Sequence, residues 1–269
     1  MGHFFNTINQ YSLSMTPLLL ILALAPGIAI SFWIYHQDRY EKEPLRMLIM
    51  CFMWGCFSTL PAILAQIYFK TWENPDNFLY IGLYSFLVIA LTEELSKFLF
   101  LRFYAYPNAH FNEPFDGIVY AVMIGMGFAT LENILYVFNT EGGSFALGIG
   151  RAFTAVPAHA AFAIMMGSYV GLAKFIPEKR NAYMMSGIVL AVFFHGLYDF
   201  FLLQKSYEGL ALVSILVLSI SISLARKLVR MGQDISPFKD RADTAIEEKS
   251  REEDNKKIED TAAEEEDTL

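Results

Sequence analysis

Charged residues are scarce in this 269-residue chain, at 18% of the sequence, whereas hydrophobic residues make up 55%. Soluble domains contain about 25% charged and roughly 45–50% apolar residues. A 30.5 kDa globule could not cover this much apolar surface, so the composition excludes an ordinary soluble enzyme. The chain also lacks a basic excess, with a net charge of −8 and a pI near 5.2, which argues against a nucleic-acid partner.

The chain contains only two cysteines, and its first fifteen residues contain no lysine or arginine. Cys51 and Cys56 lie five residues apart in one apolar run. This spacing matches neither a redox nor a zinc motif and does not favour a disulfide, so we expect two free thiols. Residues 1–15 contain no Lys or Arg, so the first apolar run lacks the basic segment of a signal peptide and is predicted to be a retained span.

What the chain does have is long apolar runs. Seven of them can each cross about 30 Å of hydrocarbon. They lie at about 16–36, 45–69, 78–103, 115–138, 151–174, 183–204 and 209–229. We therefore predict an all-α, polytopic membrane protein with about seven transmembrane helices, in contact with the lipid bilayer.

The remaining charges divide the chain into two parts. Residues 231–269 hold fourteen acidic and six basic residues, whereas residues 1–230 hold fourteen of each. We predict a transmembrane domain at 1–230 and an acidic, disordered tail at 231–269. About ten basic residues follow spans one, three, five and seven, against three on the opposite side. The positive-inside rule then places the N-terminus outside and the tail in the cytoplasm.

Ionisable side chains occur inside the predicted spans, where each costs a few kcal/mol unless it has a function or a partner. They are distributed over spans three to six: Glu93, Glu94 and Lys97 on span three, Glu132 beside Asn133 on span four, His159 on span five, and His195 with Asp199 on span six. Small residues at helical spacing lie on or next to the same faces, and membrane helices pack closely through such faces. We therefore predict that these polar groups point into the bundle and converge.

Pro157 lies two residues before His159 and predicts a kink in span five, because proline removes a helical hydrogen bond. A kink beside a polar group can make room for water or substrate.

Two imidazoles and a carboxylate can hold a zinc ion and leave one position open for water. We predict that Glu132, His159 and His195 form such a site, with Glu93 or Glu94 as the general base. The alternative for each histidine is a packing or hydrogen-bonding role.

Three further polar residues are expected to support this site. Lys97 would hold one acid of the pair as a carboxylate, or it could form a purely structural ion pair. Asp199 would either orient His195 or cap the outer end of span six. Asn133 is adjacent to Glu132 and is the third supporting residue.

These residues resemble a known family. The segment Glu93-Glu94-Leu95-Ser96-Lys97 resembles the EExxK motif of the PrsW-type intramembrane proteases. Further parts of the pattern follow in order: Phe115-Asp116-Gly117, Phe128 with Glu132 and Asn133, His159 with its small face, and His195 with Asp199. The resemblance covers about residues 20–230.

The resemblance implies a membrane-embedded metallo-endopeptidase of the bacterial inner membrane that cleaves a membrane-anchored protein such as an anti-sigma factor. The family is distantly similar to the CAAX prenyl endopeptidases. Here, however, Glu132 stands where those have a histidine, and Lys97 comes one residue earlier than their arginine. These differences favour the PrsW-type branch. A glutamate and a histidine could also activate water without zinc.

Two other functions are compatible with the residues alone. Buried Glu, His and Asp side chains also form proton paths, so a proton- or ion-coupled carrier is the main alternative. Seven spans without an evident inverted repeat are atypical of a carrier. A pseudo-enzyme that binds a membrane partner is the third possibility.

Overall fold

The computed structural model describes residues 2–138, 145–207, 209–240 and 244 of the chain. Within these residues the protein is all-helical, and seven helices are long and apolar enough to span a membrane, which confirms the predicted fold class. Their bounds are α1 Gly2–Gln37, whose Pro17–Gln37 part is the candidate span, α2 Leu45–Tyr68, α3 Phe78–Ala105, α4 Pro114–Phe138, α5 Phe145–Phe175, α6 Arg180–Leu203 and α7 Ala211–Asp234.

Successive spans run in opposite directions, so the bundle has two ends. We call the end with the 69–77 connection the Trp72 end, and the end with the 38–44 connection the Asp38 end. At the Trp72 end the Lys205 amide donates to the Pro75 carbonyl (2.8 Å). At the Asp38 end the Gln233 side chain donates to the Gln37 carbonyl (2.6 Å). The charge pattern predicts that the Trp72 end faces outward.

Helices α4 and α5 form the centre of the bundle. Of the most apolar stretch of each, 78% of the residues are buried, compared with 22–39% for the other five spans. The two backbones touch, because a Cβ atom added at Gly117 or at Gly167 would overlap the backbone of the other helix. This close contact is the packing expected of small residues in membrane helices.

Two helices are irregular beside the predicted site. Helix α3 has π-helical stretches at Tyr84–Ala90 and Leu101–Ala105 on either side of a regular segment, Leu91–Phe100. Helix α5 is interrupted at Thr154, three residues before Pro157, which confirms the predicted kink. Such interruptions in membrane helices are tolerated where the backbone is buried in protein or lines a cavity.

Cys51 and Cys56 on α2 are free thiols, as expected.

The C-terminal end of the described chain bears on the predicted tail. Helix α7 continues to Asp234, so the segment predicted as tail starts within this helix. Apart from Thr244, residues 241–269 lie outside the described ranges, and the predicted disorder of the tail concerns those residues.

Buried carboxyl groups gather at the Asp38 end. Asp38, Glu43 and Glu113 are at most 4% exposed. The Glu43 amide donates to Asp38 Oδ2 (3.2 Å), and the Tyr120 hydroxyl donates to Glu43. Desolvation raises the pKa of all three carboxyls, that of Asp38 to about 7. The protein therefore favours the neutral carboxylic acid at position 38.

Asp38 should make the stability of the fold depend on pH. Folding raises the pKa of Asp38 from 3.8 to about 7. Its stabilising contribution to the free energy of unfolding is therefore fully present below about pH 4 and is lost as the pH rises to about 7. We expect Asp38→Asn, which keeps an acceptor for the Glu43 amide, to flatten the fall in melting temperature between pH 5 and 8. Glu178→Gln, at an exposed carboxylate, is the control and should keep the wild-type slope. Equal slopes for all three proteins would contradict this prediction.

Candidate active site

The ionisable residues predicted on spans three to six meet in one pocket. Glu93, Glu94, Lys97, His159 and His195 are each no more than 4% exposed. The two imidazole rings are 5.2 Å apart and perpendicular. The predicted convergence of these side chains is therefore observed in the structure.

Lys97 lies at the centre of this pocket. Its ammonium group donates to Glu94 Oε1 (2.8 Å) and lies 3.7 Å from Glu93 Oε2. It also lies 3.2 Å from His159 Nδ1 and 4.0 Å from the centre of the Phe128 ring. Since an ammonium group can only donate, His159 Nδ1 is the acceptor. Lys97 thus contacts both acids and one imidazole, with Glu94 as its closer partner.

His195 is held between carboxylates from two helices. Its Nδ1 atom lies 2.8 Å from Glu94 Oε1 on α3. Its Nε2 atom lies 3.2 Å from Asp199 Oδ2 and 3.9 Å from Glu93 Oε2. Asp199 is one turn beyond His195 on α6, so it has the contact that an orienting role requires.

Glu132 joins His159 to a residue that the sequence analysis did not single out. Its Oε2 atom lies 3.0 Å from His159 Nε2 and accepts a hydrogen bond from Arg151 Nη2 (2.6 Å). Arg151 Nε donates to Asn133 Oδ1 (2.9 Å), and Asn133 donates to the Ala23 carbonyl (3.2 Å). These contacts tie α1, α4 and α5 together at the pocket wall. The only sequence signal for Arg151 was a single basic residue at the start of an apolar run.

Gln66 on α2 is the second residue that was missed. Its side-chain amide donates to Glu93 Oε1 (2.9 Å) and so fixes one oxygen of this acid. A single amide in a 24-residue helix that is otherwise mostly apolar was its only signal.

The two adjacent acids differ in their surroundings. Both Glu93 Oε2 and Glu94 Oε2 are buried and have no hydrogen-bond partner among the described residues. Only Glu93 lines the large cavity described next, whereas Glu94 Oε1 is held by Lys97 and His195. A buried carboxylate oxygen without a partner is costly unless a proton, a water or a cation satisfies it.

A cavity of about 650 Å³ leads to Glu93. Its walls come from α2 and α4, with Tyr84 and Glu93 from α3. Gln66, Glu132 and Thr59 also line it, as does Lys70 from the 69–77 connection, and the other lining side chains are aliphatic or aromatic. Pockets of this size and character are typical of ligand and substrate sites.

Three of the buried residues could hold a metal ion. One ligand atom from each of Glu93, His159 and His195 lies within 4.8 Å of the others, and Glu132 is not part of this group. Two imidazoles and one carboxylate are the ligands of hydrolytic zinc sites that keep an open position. These three ligand residues therefore suit a divalent metal ion. The Lys97 ammonium group would compete with this ion for Glu93 and His159.

Comparison with known proteins shows the family of the chain. Residues 43–225 match the model of the PrsW family of intramembrane metalloproteases. The chain is 37% identical to Protease PrsW of Geobacillus kaustophilus over 71% of this chain and 82% of the relative. It is also 37% identical to Protease PrsW of Clostridioides difficile, over 74% and 85%, and to that of Bacillus subtilis, over 68% and 82%. The chain belongs to the PrsW family.

Membership in the PrsW family settles several predictions. The protein is a peptide hydrolase and a multi-pass protein of the cell membrane, and the carrier alternative is not favoured. The family is described as a metalloprotease, and the group of Glu93, His159 and His195 offers a possible site for the metal. No solved structure matches the chain.

Proposed function

We propose that this PrsW family member hydrolyses a peptide bond of a membrane-anchored protein, such as an anti-sigma factor, and that Glu93 activates the water. One observation carries the proposal: of the two adjacent acids, Glu93 alone lines the cavity, with one oxygen fixed by Gln66 and the other without a hydrogen-bond partner. A general base must have access to the substrate and a free oxygen to accept the proton.

The proposed reaction uses Glu93 twice. Its Oε2 accepts a proton from water while the water oxygen bonds to the carbonyl carbon of the substrate. When the carbon–nitrogen bond breaks, Glu93 returns this proton to the leaving nitrogen. Because Glu93 carries the proton that it took from water, the same residue can act first as base and then as acid.

The other residues stabilise charge and hold the imidazoles. Lys97 and its ion pair with Glu94 lie beside Glu93, so the ammonium group is placed to stabilise an oxyanion. Glu94 positions His195 and Glu132 positions His159, each through one ring nitrogen.

The proposed cofactor is zinc, which His159, His195 and the Gln66-bound oxygen of Glu93 would hold, so that Glu93 Oε2 stays free to accept the proton. When bound, a divalent ion lowers the pKa of a water ligand and polarises the substrate carbonyl. This assignment keeps both histidines of the sequence prediction but replaces Glu132 by Glu93 as the carboxylate ligand. Glu132 is then a positioning residue, because Arg151 and His159 already share its Oε2 atom.

The proposed function is tested by mapping the membrane-protein fragments in cells that produce the wild type, His159→Ala or His195→Ala at equal levels. We expect new N-termini within single-span proteins in the wild type and none in either variant. His36→Ala, at an exposed histidine outside the site, should cleave as the wild type does. The absence of any fragment that depends on the wild type would overturn the proposal. So would fragments that persist in both variants.

A further inference from the structure

The cavity beside Glu93 lies in a wedge between α2 and α4. A Cβ atom at Gly55 would overlap the backbone of Ile124, and one at Gly127 would overlap that of Phe52. The two helices therefore touch in their middle portions. From this contact toward the Trp72 end, α2 from Thr59 to Ile67 and α4 from Phe128 to Phe138 contribute side chains to the cavity wall instead of closing on each other.

The mouth of this wedge is apolar and exposed at the surface of the bundle. Ile67 on α2 is 67% exposed, and Leu135 and Tyr136 on α4 are 44% and 47% exposed. Apolar side chains on the outside of a transmembrane bundle face acyl chains. The wedge therefore opens sideways to lipid, and Glu93 and Glu132 lie on its inner wall.

The size of the cavity limits what can occupy it. A helix of 20 residues, about 30 Å long and 10 Å wide, fills roughly 2,400 Å³. The cavity, at about 650 Å³, holds about a quarter of this volume. A whole transmembrane helix does not fit, whereas a short segment does. Such a segment has to unwind for its peptide bond to reach Glu93, and the polar groups at the inner wall offer partners to its freed backbone.

The depth of the polar groups fixes where this segment must lie. Glu132 is six residues from the end of α4, which corresponds to about 9 Å, and His195 is eight residues from the end of α6, about 12 Å. Glu93 is fifteen residues from the start of α3, but it contacts Gln66, which is two residues from the end of α2. The segment is therefore expected about 10 Å from the Trp72 end, at the level of Glu132 and His195.

We propose that the wedge between α2 and α4 is the docking site for a short, unwound segment of a single-span membrane protein, which enters from the bilayer past Ile67. This proposal deepens the proposed function and rests on it for the substrate class. The exposed apolar and aromatic side chains of Ile67, Leu135 and Tyr136 at the mouth fit a membrane segment, with Lys70 at the Trp72 end of the cavity. The continuity of the wedge with Glu93 brings that segment to the water-activating group.

Substitution at the mouth provides a matched pair of variants. Leu64 is as exposed as Ile67, at 67%, and lies three residues earlier on α2, but it does not line the cavity. We expect Ile67→Trp to slow cleavage of a single-span substrate at least tenfold, whereas Leu64→Trp leaves it unchanged. Both variants should melt at the wild-type temperature. Equal cleavage by both variants would overturn the proposal.

Photocrosslinking tests docking without requiring cleavage. The Glu93→Gln protein carries a photoreactive residue at position 67 or, as control, at position 64. The probe is a single-span reporter with a Leu/Ala segment and a Gly-Pro pair about 10 Å from its outer end. An unbroken Leu/Ala reporter is the second control. We expect position 67 to capture the Gly-Pro reporter at least tenfold better than position 64 does, and better than it captures the unbroken reporter.

The two experiments separate the two proposals. Equal capture at both positions, no capture, or capture of lipid alone at position 67 would overturn the docking site even if the wild type cleaves. Capture at position 67 without any cleavage by the wild type would overturn the proposed function and retain the docking site.

Discussion

Replacement of Glu93 by Gln should lower the rate of cleavage by about 10²–10⁴-fold, the loss expected for a general base. Gln keeps the size of the side chain and its oxygen, but it cannot accept a proton from water. The contact with Gln66 can persist, so the fold should be retained. The measurement is single-turnover cleavage of a single-span substrate by protein reconstituted in liposomes.

The neighbouring acid provides the decisive comparison. Glu94→Gln should lower the rate of cleavage by only about 10–100-fold, because Glu94 acts through His195 and Lys97 rather than on the substrate. Glu178→Gln, at an exposed carboxylate that does not line the cavity, should have no effect. If Glu94→Gln were the more damaging change, the assignment of the two acids would be reversed.

Much of this fold is predictable because long apolar runs have few alternatives to membrane helices. The predicted span at 45–69 corresponds to Leu45–Tyr68, and that at 115–138 to Pro114–Phe138. The last span was predicted to stop at 229, but α7 continues to Asp234. Its final turns contain polar and basic residues that hydropathy assigns to a connection, whereas a helix can extend beyond the hydrocarbon because its backbone bonds are satisfied internally.

The site was predictable as a group of residues but not in its internal arrangement. Helical spacing indicates which face carries Glu93 and His195, and small residues indicate that these faces are buried. Spacing does not tell whether Glu93 or Glu94 reaches the cavity, because the two are adjacent on α3. It also cannot reveal Gln66 or Arg151, whose partners lie 27 and 19 residues away on other helices.

The second large effect that we expect is the loss of zinc binding when either histidine of the site is replaced. We expect purified wild type to bind about one zinc ion per chain, and His159→Ala and His195→Ala to lose this ion. Glu132→Gln should weaken zinc binding by only about 10–100-fold and still reach full occupancy at saturating zinc. The reason is that Glu132 contacts His159 through Nε2, whereas Nδ1 faces Lys97 in the centre of the pocket.

Equilibrium dialysis against a competing chelator, followed by metal analysis, measures these affinities, and Glu73→Gln is the control for a carboxylate outside the site. If Glu132→Gln loses zinc as completely as His159→Ala, Glu132 is a ligand, as the sequence first indicated. Lys97→Met should bind zinc at least tenfold more tightly than the wild type, because an ammonium group 3.2 Å from His159 Nδ1 and 3.7 Å from the Glu93 carboxylate repels a divalent cation. If neither the wild type nor any variant binds zinc and a chelator leaves cleavage intact, the Lys97 ammonium is the cation beside Glu93. The Glu93 carboxylate then activates water without a metal.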